Sequence, residues 1–180
     1  MKNFLNRCLR AAKLDAALFQ ELIDDPKMFN QALIVVFIYS MASAYGTFGG
    51  IGGATKTNIV MITTLLGWYV WAFSTYIIGA RFLPGADTHP DRKAVYRVLG
   101  FASAPGILRV LGFMPGFGIL VILAASGWMV AAGAIGVKQA LNYENYNRAL
   151  GVCIIGMIIS IVFQLIMFVI LFSAFGVSSK

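Results

Sequence analysis

Residues 98–137, VLGFASAPGILRVLGFMPGFGILVILAASGWMVAAGAIGV, contain a single charged side chain, Arg109. As one continuous helix they would reach about 60 Å, twice the ~30 Å thickness of a bilayer's hydrocarbon core. The turn-forming run Gly112-Phe113-Met114-Pro115-Gly116 sits near their middle. The spacing therefore predicts two crossings joined at that turn, with Pro105 kinking the first. A re-entrant hairpin over 98–113 is the alternative. The choice decides the fold: two crossings give five spans and put the termini on opposite sides, whereas a hairpin gives four.

Outward from this stretch, further apolar runs occupy roughly 32–48, 59–80 and 149–175. Of the 180 residues 59% are hydrophobic and only 12% charged, with mean hydropathy +0.82. A soluble domain is nearer 45–50% apolar and about 25% charged. The sequence thus predicts an all-α integral membrane protein with spans near 28–48, 58–81, 95–112, 117–138 and 148–175. A short cytosolic amphipathic segment, 1–25, precedes them, and 26–180 form one transmembrane domain. The first 27 residues carry five Lys/Arg and four Asp/Glu with no apolar core before a cleavage site, so no cleavable signal peptide is expected.

Charge gives the orientation. With five spans, one side holds Lys2, Arg7, Arg10, Lys13, Lys27, Arg81, Arg92, Lys93, Arg97, Lys138 and Arg148, eleven cations in all. The other side holds three, Lys56, Arg109 and Lys180. Short loops rich in Lys and Arg stay cytoplasmic, so the N-terminus is expected inside and the C-terminus outside. All seven acids, Asp15, Glu21, Asp24, Asp25, Asp87, Asp91 and Glu144, fall on the cytoplasmic side as well. A four-span reading would export Lys138 and Arg148.

Within 1–25, Phe4, Leu5, Cys8, Leu9 and Ala12 share a helical face, and Lys2, Arg7, Arg10 and Lys13 cover the rest. Such a helix lies in the headgroup plane, its cations toward anionic lipid. It would equally cap the bundle from the cytosol, and the two roles coexist. Asp15 reads as the N-cap of a second short helix, 16–24, and Asp25-Pro26 as the start of the first span. The fourth span is rich in small residues. Gly127/Ala131 and Ala132/Gly136 are small-xxx-small pairs that permit close helix contact, which suggests a central position or a dimer interface.

Little in the sequence points to chemistry. The glycine-rich 45–54 connection, followed by Lys56-Thr57, superficially resembles a phosphate loop, but Thr55 stands where that pattern requires glycine. Trp68, Tyr69, Trp71 and Tyr76 in the second span read as packing residues. Asp87-Thr88-His89-Pro90-Asp91 offers three metal-ligand types but no fourth ligand, and reads better as a turn with Asp91 capping the next helix. Cys8 and Cys153 lie on opposite sides of the topology or within it, so no disulfide is expected. Apart from Arg109, near an end of its span, there is no Asp, Glu, Lys or His at mid-membrane depth of the kind that marks proton or ion paths. No catalytic set, cofactor, metal or nucleic-acid partner is expected.

The run Tyr96-Arg97-Val98-Leu99-Gly100-Phe101-Ala102-Ser103-Ala104-Pro105 resembles the R-v-x-G-y-a-x-x-P signature of the Yip-domain family, the Ypt/Rab-interacting membrane proteins. Pro115-Gly116-Phe117-Gly118, Trp128, Val137-Lys138-Gln139-Ala140-Leu141 and Arg148-Ala149 are similar to that family too. Arg10-Ala11-Ala12-Lys13-Leu14-Asp15 and Asp24-Asp25-Pro26 look like its bacterial branch. The resemblance implies a five-helix bundle with a cytosolic N-terminus in a bacterial inner membrane. Rab binding is not carried over, because the long N-terminal region of the eukaryotic members has no counterpart here. The resulting expectation is a non-enzymatic scaffold that contacts membrane lipids and a membrane-protein partner or a second copy. A small oligomeric channel or transporter is the alternative.

Overall fold

The computed structural model describes residues 2–49, 51–85 and 91–176. Among them there are only helices. Two short ones, α1 (Lys2–Ala12) and α2 (Ala16–Asp24), precede α3 (Met28–Phe48) and α4 (Gly53–Ile77), which runs on through a π turn to Phe82. Then come α5 (Arg92–Ala102), a 3-10 segment (Ala104–Phe113), α6 (Gly118–Ala140) and α7 (Tyr146–Leu171). Four helices are long and apolar enough to cross a membrane, and the bent pair of α5 and the 3-10 segment makes a fifth if the pair counts as one span. The chain is an all-α membrane protein. The connection between α3 and α4 is shorter than its glycines suggest: α3 persists to Phe48, and Gly49 (φ 57°) closes it in the left-handed conformation by donating its N–H to the Tyr45 carbonyl at 2.7 Å.

The bent pair runs beside α3 along most of its length. Gly100 faces Ala32, so closely that a Cβ there would lie 2.7 Å from the Ala32 Cβ. Farther along, a Cβ on Gly46 would overlap the Arg109 carbonyl, and Tyr45 meets Phe113 edge to face at 5.8 Å. Between Ala32 and Gly46 α3 advances 14 residues, about 21 Å, while the facing chain from Gly100 to Arg109 has nine, worth only ~13 Å as α-helix. The 3-10 rise of ~2.0 Å per residue recovers about 3 Å of that shortfall of about 8 Å. Pro105 initiates that change. It has no N–H to continue the α ladder, and it sits in the first turn of the 3-10 segment after a 41° bend.

Burial identifies the central element. All nine residues 94–102 of α5 are buried. The sequence suggests a central α6, but α6 has one buried face only. There Ala132, Gly133 and Gly136 make the seat on which α5 rests: a Cβ on Gly133 would lie 2.9 Å from Leu99, and one on Gly136 would overlap Val98. α2 belongs to the same core. Its Leu18, Phe19 and Leu22 are fully buried. Asp15 accepts the Ala17 N–H at 3.0 Å as the N-cap, and Arg97 holds the other end. Its guanidinium, 3% exposed, donates to the Leu22 and Ile23 carbonyls at 2.6 Å each, the open carbonyls and negative pole of the α2 dipole. Asp91, which also caps α5 by accepting the Lys93 N–H at 2.8 Å, lies 3.6 Å from the same guanidinium.

Candidate functional site

Two features stand out: a cavity inside the bundle, mostly apolar but with a polar stripe, and the surface carried by α1. The cavity, about 270 Å³, is walled by α3, α4, the 3-10 segment, α6 and α7. Arg109, counted in the sequence among the three cations of the outer side, turns inward. The 3-10 segment leads the guanidinium over the Tyr39 ring, 5.3 Å from its centroid. One Nη donates to Tyr39 Oη at 2.8 Å and the other to Ser126 Oγ at 2.6 Å. Ser126 in turn donates to the Ile122 carbonyl at 2.5 Å. Ser43, Thr63, Thr64, Ser160 and Gln164 add hydroxyls and an amide to the wall. Ser160 donates across to the Gly67 carbonyl at 2.7 Å, and Gln164 donates to Ser160 at 3.0 Å. Gly67 allows this close α4–α7 approach, because any Cβ there would overlap the Gln164 side chain.

These polar residues come from separate spans, and only the fold brings them together. Each looks innocuous in sequence, since Ser and Thr within a span can return their hydroxyls to their own helix. The i, i+4 spacing of Ser160 and Gln164, with the adjacent Thr63 and Thr64, is the signal that marks a polar stripe. Trp68 lines the cavity while Trp71 donates to the Cys153 carbonyl at 3.1 Å, so the aromatic residues of α4 serve packing and cavity wall at once.

α1 lies against α5 and the 3-10 segment, and its Ala12 carbonyl accepts a hydrogen bond from Trp128 Nε1 at 2.7 Å. Phe4, Cys8 and Ala11 turn inward, with Phe4 and Phe101 rings 6.5 Å apart. Burial pushes the Cys8 thiol above its ordinary pKa, as suits a packing residue. Leu5 and Leu9 point away, 59% and 61% exposed. Lys2 stands in the first turn, Arg7 donates to Gln31 at 3.1 Å, and Lys13 is exposed. Arg10 is engaged at the elbow: its Nε lies 2.6 Å from Asp15 and an Nη 2.9 Å from Glu21. The Arg10 hydrogen bond holds the Asp15 carboxyl below the usual carboxylate range, and the two acids hold the guanidinium protonated even more firmly than usual.

The small residues of α6 divide. Ala132 and Gly136 face the core; Gly127 is exposed, with open space where a Cβ would stand, and Ala131 is half-buried beside it. Asp91 is the α5 N-cap, while Asp87 and His89 lie outside the described residues. A family model described as Yip1 domain matches residues 16–176. No curated protein and no solved structure matches the chain.

Proposed function

Since this chain belongs to the Yip1 domain family, we propose that it is a non-enzymatic membrane scaffold acting from the face that carries α1 and α2. The observation that carries this reading is the outward Leu5–Leu9 edge of a basic helix packed beside the first turn of α3. An apolar edge flanked by Lys and Arg suits the lipid headgroup boundary, where it recruits anionic lipid and presents a fixed surface to a partner. By the cation bias, that face is the cytoplasmic one of a bacterial inner membrane, with the C-terminus on the far side. The outward Gly127/Ala131 pair provides a groove for a second copy or a membrane-protein partner.

Substituting Lys2, Arg7, Arg10 and Lys13 with Gln tests this. In nanodiscs, hydrogen exchange of residues 2–12 is expected to be slower on anionic than on zwitterionic lipid for the natural chain, and equal for the variant. Partners recovered in mild detergent should be lost with the variant; unchanged exchange and unchanged recovery contradict the reading. A small oligomeric channel or transporter is the second reading, and the polar stripe of the intramembrane cavity favours it. Flux through reconstituted vesicles above that of empty ones would establish it.

A further inference from the structure

The cavity concentrates positive charge without an acidic counterpart. In the sequence every Asp and Glu lies outside the five spans, and the groups that accept hydrogen bonds from Arg109 are neutral hydroxyls. Its Nε is buried and makes no hydrogen bond within the protein. Two further donors on the cavity wall, Ser43 Oγ and Trp68 Nε1, are likewise buried and unpartnered. Ser43 differs here from Ser40, Ser103 and Ser126, whose hydroxyls each donate to a carbonyl one turn back at 2.5–2.9 Å. A buried polar group without a partner is costly, and so is a guanidinium in a low-dielectric setting without an anion. A guanidinium with surrounding N–H and O–H donors and no carboxylate has the composition of an oxyanion site, and the Arg fork matches two oxygens of a phosphate or carboxylate.

The remaining wall is apolar: Ile122, Met129, Met157, Ile161, Leu165 and Phe168. A cavity of about 270 Å³ accommodates an oxyanion and the first carbons attached to it. Two of the lining residues on α7, Ile161 and Leu165, are themselves exposed, so the cavity opens onto the surface of that helix, along which an apolar chain can continue. We propose that this cavity binds the oxyanion headgroup, phosphate or carboxylate, of an amphiphile whose tail leaves along α7. No residue of α1 lines the cavity, so the site is tested by substitutions other than those that test the scaffold surface.

The test is a titration of the full chain in neutral detergent with decyl phosphate, read by the fluorescence of Trp68 and Trp71 in the cavity wall. Decanol, decyltrimethylammonium and inorganic phosphate serve as comparison probes. Decyl phosphate is expected to give a saturable change at least about tenfold tighter than decanol, as a charge-assisted bidentate contact implies. Arg109→Gln should remove that preference, and Ser43→Ala should weaken it by about threefold. If Arg109→Gln fails to fold, Arg109→Lys, which keeps the charge and loses the fork, should still reduce the preference for phosphate over alcohol. Equal affinity for decyl phosphate and decanol overturns the proposal, and so does unaltered binding in both Arg109 and Ser43 variants. Saturation by inorganic phosphate alone at the same concentration also overturns it, because the site would then be one for a free anion.

Discussion

Arg97 shows how much a single side chain can hold. In sequence it is one of four cations in the 81–97 connection and the arginine of the family-like run 96–105. In the structure it is buried, and it fastens α2 to α5 through two carbonyls. Nothing local signals this, because the α2 carbonyls lie 74 and 75 positions away. Arg97→Leu should strip both bonds, destabilise the fold by about 2–4 kcal/mol and release residues 13–27 to proteolysis. Arg97→Lys should recover part of the loss; full resistance in the Leu variant would show that α2 is held by packing alone. The glycines of α6 make a paired contrast. Gly136→Ala forces its new methyl against Val98 and Phe19 and should cost about 1–3 kcal/mol, whereas Gly127→Ala meets open space and should be neutral or stabilising by up to ~1 kcal/mol. Thermal midpoints of the purified variants in detergent check both. Sequence spacing finds both small-residue pairs, but it does not tell which faces the core, since glycine carries no polarity to sort the two sides.

At the scale of elements, the caps of α2 and α5 were legible, whereas α3 starts at Met28 behind Lys27 and not at Asp25-Pro26, Asp25 instead accepting the Lys27 N–H at 2.9 Å; the bend was only half legible. Asp15, Asp91 and the kink at Pro105 follow from local chemistry. The ten-residue 3-10 segment after Pro105 does not, because its length is set by matching α3 alongside it. The α1–α2 elbow yields a pH dependence. Asp15 is held ionised below its usual range by Arg10, so its contribution is present above about pH 4 and is lost as the pH falls through the depressed value. Exchange protection of α1, corrected for intrinsic rates, should hold from pH 7 to about pH 5 and decline toward pH 3. Constant protection down to pH 3 would mean that Phe4, Cys8 and Ala11 alone hold the helix. The elbow itself carries strain, since Leu14 adopts φ 62° where such helix ends favour glycine. Leu14→Gly should stabilise it by about 1 kcal/mol, measured by the same exchange.

For the whole molecule, apolar runs were enough to predict an all-α bundle with four or five helices able to cross a membrane. Which helix lies at its centre was not legible, because α5 is short and carries Arg92, Lys93 and Arg97 in its first half, the mark of a surface helix until α2 folds beneath it. The same folding sets α1 against α5 and leaves the cavity among the longer helices, with no α1 residue in its wall. Five crossings require the bent pair of α5 and the 3-10 segment to cross the membrane completely. The most direct measurement is labelling of single cysteines by a membrane-impermeant maleimide in intact cells, with Cys8 and Cys153 replaced by Ala. Ile51→Cys and Phe117→Cys, 94% and 63% exposed in the natural chain, should label together from outside, while Glu144→Cys should label only after permeabilisation. Phe117→Cys protected in intact cells while Ile51→Cys labels, or Glu144→Cys labelled from outside, would reduce the bent pair to a re-entrant loop and contradict the five-crossing bundle.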